Sequence, residues 1–223
     1  MKILAFDTST EYCSTALCHD GGIVRREICA ERRHSELLLP MIQDTLAEAG
    51  LQLSDLDGLA FGAGPGSFTG LRIACGVAQG LALASGLPVI GISTLEAIAQ
   101  QNTHDKIVVA IDARMSEIYH AAYIRQNGFW KVVSEPALFQ PRHAPALPGA
   151  GWMACGSGFN VYAEQLQAIY RDSLMEIRGD QYPHALEVAQ LAAVRSLDEF
   201  CTDPAQAVPV YIRNKVALKE SER

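Results

Sequence analysis

Gly62-Ala63-Gly64-Pro65-Gly66-Ser67-Phe68-Thr69-Gly70-Leu71-Arg72 is the stretch whose reading decides the fold of this chain. It lies between an apolar run, Leu56 to Phe61, that reads as a strand, and a small-residue segment, Thr69 to Ser85, that reads as a helix opened by Thr69. Glycines at 62, 64 and 66 admit backbone turns closed to other residues. Pro65 fixes one φ inside that turn. A strand, a glycine loop and a helix N-terminus together make a seat for an anion or phosphate. The spelling is neither the G-x-x-x-x-G-K-[ST] loop nor G-x-G-x-x-G, so a purely structural turn stays open as an alternative.

Working outward, Met1 to Phe6 is a short apolar run ending at Asp7. Ser14 to Cys18 and Ile23 to Ile28 flank Asp20-Gly21-Gly22, a hairpin signal. A helical spacing of apolar residues runs from about His34 to Ala49, with Pro40 either kinking it or sitting in its first turn and Gly50 as its stop. After the glycine loop and its helix come Gly86 as a second stop and a strand from Pro88 to Ile92. The second half repeats the order. Ile107 to Ile111 ends at Asp112, and Glu117 to Ile124 and Trp130 to Val133 flank Asn127-Gly128. Pro136 to Gly151 reads as an irregular connection. A short strand at Met153 to Cys155 precedes helical patterns at about Asn160 to Tyr170 and Pro183 to Phe200, Pro183 standing at a first helical position. The residues from Val216 read as a frayed tail. Two β-β-β-α-β-α halves, about 1–103 and 104–223, predict two α/β lobes with a cleft between them.

Composition narrows the function classes. The chain has 223 residues, 49% of them hydrophobic, and a net charge of −7. An acidic chain of this size is a poor free-standing nucleic-acid binder, because phosphate neutralisation needs clustered Lys and Arg. Six cysteines include no C-x-x-C, and six histidines include no i, i+4 pair, so no metal centre is expected. The N-terminus reaches an acid too early for a signal peptide, and no run of 18 uninterrupted apolar residues suggests a membrane span. A cytoplasmic protein with reduced thiols is expected.

Three constellations carry candidate chemistry. Asp7-Thr8-Ser9-Thr10 ends a buried strand and could hold a magnesium-bound phosphate, or serve as a turn or cap. His34-Ser35-Glu36 could start a helix or touch a ligand, and a capping role is the preferred reading. In the Thr69–Ser85 helix, Gly76, Gly80 and Ala84 share one face, although interior glycines cost about 1 kcal/mol each relative to Ala. Such a face implies close approach of another helix, either inside the lobe or at a subunit interface. The face carrying Ala74, Val77, Ala78 and Leu81 is the one to examine.

These segments together resemble the TsaB (YeaZ) family, a branch of the actin-like ATPase superfamily with a ribonuclease H-like fold. The resemblance rests on Ile3 to Thr10, His34-Ser35-Glu36 through Leu39-Pro40-Met41, Gly64 to Arg72, Ala110 to Arg114, and Pro209 to Asn214. It implies a non-catalytic subunit that helps install the threonylcarbamoyl group on adenosine 37 of tRNAs reading codons that begin with A. The implied partners are the catalytic paralogue TsaD and the ATPase TsaE, with tRNA met only through the complex. TsaD holds its metal with an H-x-x-x-H pair. Thr94 and Ile98 stand at the matching positions here, and neither can replace an imidazole. The resemblance therefore implies no catalytic residue and no metal. It implies a degenerate nucleotide site at Asp7, Thr8, Ser9 and Asp112, binding ATP or ADP weakly, at the partner interface, or not at all. The implied partner surface takes in Leu38, Ile42, Ala74, Gly76, Val77, Ala78, Gly80 and Leu81, which would also serve a competing homodimer. A small kinase using Asp7 and the glycine loop is the alternative from another class, and a metallopeptidase the remotest one.

Overall fold

The computed structural model describes residues 1–20 and 22–213. Gly21 of the expected hairpin turn, Asn214 and the expected tail from Val216 lie outside the described residues.

Two five-stranded mixed sheets carry the fold. In the first, β1 (Ile3–Asp7), β2 (Tyr12–His19) and β3 (Gly22–Cys29) form an antiparallel meander. β4 (Gly58–Gly64) and β5 (Val89–Ser93) then add in parallel to the other side of β1, giving the order β3-β2-β1-β4-β5. The second sheet repeats this with β6 (Lys106–Asp112), β7 (Ile118–Gln126), β8 (Phe129–Phe139), β9 (Trp152–Cys155) and β10 (Leu174–Arg178), in the order β10-β9-β6-β7-β8. The duplication read from Phe6-Asp7 and Ile111-Asp112 is thus realised strand for strand. β1 and β4 are buried along their whole length, as parallel strands covered on both faces must be.

The helices depart further from the expectation. α1 (His34–Ala49) and α2 (Phe68–Ser85) cover one face of the first sheet, packing Leu38, Ile42, Ala74 and Ala78 against Leu4, Phe6, Leu59 and Phe61. α2 starts at Phe68, one residue before the expected Thr69, because the Ser67 side chain accepts from the Gly70 N–H and caps the helix. Pro40 lies inside α1, beyond its first turn. Ala97 of α3 (Thr94–Gln100) and Ala185, Val188, Ala189 and Ala192 of α6 (Ala185–Ala193) cover the other face, against Ile3, Ala5 and Ala60. α3 also turns Leu95, Ile98 and Ala99 onto Ile107 and Val109 of the second sheet. α4 (Gly158–Val161) and α5 (Ala163–Tyr170) close that sheet's far face with Phe159, Leu166 and Tyr170.

The first sheet ends with Ser93 and the second begins with Lys106, but the helices are not shared out between the sheets in chain order. α6 completes the core of the first lobe, and the chain directly after it stays there, with Cys201 bridging to Val89 of β5. The second half also lacks a helix between its third and fourth strands, where only a 3₁₀ turn at Pro141–His143 stands. β8 runs to Phe139 rather than Val133. A register shift opposite Ala121 lets Pro136 sit in this edge strand. β10 was not foreseen: Leu174–Arg178 is an exposed edge strand with no long apolar run. Pro183 precedes α6 instead of opening it.

Where glycine is obligatory is visible from what a side chain would meet. A Cβ at Gly70 would run into the Thr8 carbonyl, and one at Gly62 into the Asp7 carboxylate. A Cβ at Gly76 or Gly80 would meet nothing within 4 Å. Gly70→Ala should therefore lower stability by about 3 kcal/mol, because a backbone carbonyl must move. Gly76→Ala should raise it by up to about 1 kcal/mol through helix propensity. Chemical denaturation of the two variants beside the parent checks both signs.

Candidate functional site

The ends of β1 and β6 face each other across a cleft of about 760 Å³ between the lobes. Its walls include Ser9, His34, Gly66, Ser67, Thr69, Asp112, Arg114 and Ser157. The glycine loop forms one wall because three bonds fasten it. Ser67 N–H donates to the Ser9 carbonyl (2.7 Å), the Thr8 hydroxyl to the Gly70 carbonyl (2.7 Å), and the Thr94 hydroxyl to the Pro65 carbonyl (2.5 Å).

The four residues expected to form a degenerate nucleotide site are brought to this region, but not all into the cleft. Ser9 and Asp112 line it, whereas Asp7 and Thr8 are wholly buried behind it. One Asp7 carboxylate oxygen accepts from the Ser9 N–H (2.9 Å) and hydroxyl (2.8 Å). The other has no partner among the described residues and lies against Gly62. Burial raises the Asp7 carboxyl from 3.8 to about 6, and the two Ser9 bonds pull in the opposite direction. On the opposite wall, Asp112 accepts from the Arg114 N–H (2.9 Å) and from the Tyr162 hydroxyl (3.0 Å), and pairs with the Arg114 guanidinium at 3.1 Å. Asp112 N–H donates to the Ser157 hydroxyl (3.1 Å). Asp112 is thus paired with the chain's own cation. The loop that follows is held in an unusual conformation: Arg114, Met115 and Ser116 all have positive φ (62°, 54° and 58°). A left-handed conformation costs a non-glycine residue about 1 kcal/mol or more.

His34 is not a cap. It is the first residue of α1, is 7% exposed, lines the cleft, and its Nε2 has no partner among the described residues. The clue in the sequence was its place at the head of an amphipathic helix on the cleft side. Tyr162 and Ser157 were also missed, although Gly156-Ser157-Gly158 echoes the first glycine loop at the matching strand end. Among the described residues no group of three or more His, Cys, Asp or Glu could hold a metal ion. Thr94 is fully buried and spent on the glycine loop, and Ile98 is fully buried in the second core.

The expected partner surface needs revision. Leu38, Ile42, Ala74 and Ala78 are 2% exposed or less, so they form the first lobe's core and cannot meet a second body. Val77 and Leu81 are half-buried against that core. What α2 leaves outside is Gly76, Gly80 and Leu83, the last 79% exposed, with Leu39 of α1 also exposed. The glycine face is therefore not packed inside its own lobe. By length and composition α2 is also the one described helix apolar enough to cross a membrane, with 33% of it buried.

Relatives agree with this architecture. A family model described as TsaD, tRNA N6-adenosine threonylcarbamoyltransferase, matches residues 14–220. A protein of Escherichia coli K12 named tRNA threonylcarbamoyladenosine biosynthesis protein TsaB is 39% identical, over 99% of this chain and 98% of its own. The chain belongs to the TsaB (YeaZ) family. Another TsaB, from Haemophilus influenzae Rd, is 36% identical over 99% of this chain and 97% of its own. The solved structure of YeaZ from Pseudomonas aeruginosa is 39% identical with a TM-score of 0.85, covering 94% of this chain and 99% of that one. A second solved chain, described as an uncharacterized protein with similarity to peptidase YEAZ from Pseudomonas aeruginosa, is 38% identical with a TM-score of 0.88, covering 95% of this chain and 99% of that one. The TsaB fold and its two-lobed actin-like plan therefore extend over nearly the whole chain.

The buried Asp7 makes a pH prediction. Its folded value lies above its unfolded value, so its contribution to stability is complete below pH 3.8 and is lost as pH rises through about 6. A rise of that size corresponds to about 3 kcal/mol. Asp7→Asn, which keeps the acceptor for Ser9 and cannot ionise, should match the parent near pH 4 and exceed it in stability by a few kcal/mol above pH 6. Denaturation midpoints across pH 4 to 7.5 measure this gap. A constant gap would contradict it.

Proposed function

We propose that this chain is a non-catalytic subunit in tRNA threonylcarbamoyladenosine biosynthesis. In this reading it docks a TsaD-type catalytic paralogue, acts with the TsaE ATPase, and meets tRNA only through the assembly, in the cytoplasm. The observation that carries the reading is the outer side of α2. Two glycines and an exposed leucine there offer a helix surface onto which another helix can settle closely. The fold does not need these glycines, since no neighbour crowds them, and a contact outside the chain accounts for the stability they cost.

Two features support a role without chemistry of its own. Thr94 and Ile98 stand where the paralogue's metal-binding histidines would be, and both are committed to packing. Arg114 neutralises Asp112 in the cleft, and Asp7 is buried at the end of β1 behind it, so nucleotide is bound weakly, at the partner interface, or not at all. Without its partner the same α2 side would pair with a second copy, and the two associations would compete.

Gly80→Leu tests the surface. The side chain enters open space, so far-UV dichroism should be unchanged and stability should rise by up to about 1 kcal/mol. The complex with TsaD should be lost on a sizing column. A variant that folds and still co-elutes with TsaD would refute the α2 surface.

A further inference from the structure

After α6 and its 3₁₀ turns the chain crosses from one lobe to the other. On the first lobe, the Ala207 carbonyl accepts from Gln79 Nε2 (2.9 Å) and the Cys75 thiol (3.1 Å), both on α2. Val210 N–H donates to the Ala63 carbonyl (2.8 Å), adding to the end of β4. Tyr211 lies 5.3 Å from the Phe68 ring and accepts from Arg72 Nε (3.0 Å), while that guanidinium sits 3.8 Å over Phe68. Two residues later the strap is on the second lobe. Arg213 pairs there with Glu117, and donates to the Arg114 carbonyl (3.3 Å) and to Met115 Sδ (2.9 Å).

The place where Arg213 lands is the strained one. Arg114, Met115 and Ser116 are the three consecutive left-handed residues, and Ala113 and Arg114 at the head of that loop line the cleft. Arg213 holds one carbonyl, one sulfur and one carboxylate of that loop, and its side chain is 10% exposed. A loop with three unfavourable φ angles, fixed from outside by one guanidinium, has a relaxed alternative whenever the guanidinium leaves.

We propose that Ala207–Arg213 is an interlobe latch: docked, it holds the 113–117 loop in its strained form and the cleft narrow; released, it lets the loop relax, withdraws Arg114 from Asp112 and opens the cleft. The latch is tethered to α2 through Arg72, Cys75 and Gln79, so its two ends report on different lobes. Its release needs no unfolding of either sheet, because neither β1 nor α6 depends on Arg213.

Hydrogen exchange on the full chain tests this, comparing the parent with Arg213→Ala, Arg213→Lys and Glu117→Gln. In Arg213→Ala, amides of 111–117 should exchange about tenfold faster, and amides across the cleft at 9–11 and 66–70 should speed up with them. Peptides from β1 and α6 should stay as protected as in the parent, and Arg213→Lys should recover part of the protection. Glu117→Gln removes the charge from one arm of the same clamp while leaving the bonds to Arg114 and Met115, and should give the same pattern to a smaller degree if Arg213→Ala does not fold. Faster exchange confined to 111–117, no change at all, or a uniform rise that includes β1 and α6 would each overturn the latch.

Discussion

The close seating of the β1 end on the glycine loop is the constraint on which the rest of the molecule depends. The chain at Asp7, Thr8 and Ser9 approaches Gly62, Gly66 and Gly70 more nearly than any side chain permits. At Gly66 a Cβ would stand 2.6 Å from the Ser9 carbonyl. This contact sets where α2 starts, since Ser67 is held by Ser9 and Thr8 binds Gly70. The start of α2 in turn decides which of its faces is core and which is open. The same seating drives Asp7 into the interior, where its charge is disfavoured. A loop that looks built for an anion thus spends its polarity on holding two strands and a helix together.

The lobes are interleaved rather than sequential. α3 lies in the layer between the sheets with α6, and α6 comes from the far end of the chain to close the first core. The strap from Ala207 to Arg213 then returns across the cleft. Any motion of one lobe against the other must therefore work against α3, α6 and the strap at once, and the strap is the least buried of the three.

Much of this was legible in the residues. The repeated succession of strands along the chain followed from two apolar runs ending in Asp7 and Asp112, each followed by a hairpin. Asn127-Gly128 forms its turn with both residues at positive φ, as that dipeptide favours. What the sequence hid was three-dimensional partnership. Gly76 and Gly80 are spaced for close helix contact, but nothing local tells whether the neighbour is internal. Leu38, Ile42, Ala74 and Ala78 have the apolar character of an interface and equally that of a core, and burial chose the core. The reach of Arg213 to Glu117 joins residues 96 positions apart, which no spacing rule connects, whereas Asp112 and Arg114 stand only two positions apart and their pairing depends on the left-handed turn between the strands. β10 escaped because edge strands need little apolar patterning.

The most direct measurement is a reconstitution of the tRNA modification. Purified TsaD, TsaE, threonylcarbamoyl-adenylate and unmodified tRNA would be combined with and without this chain, and the modified adenosine at position 37 quantified. The accessory reading predicts modification only when the chain is present, and none from the chain alone. Equal modification in its absence, or modification by the chain without TsaD, would contradict it.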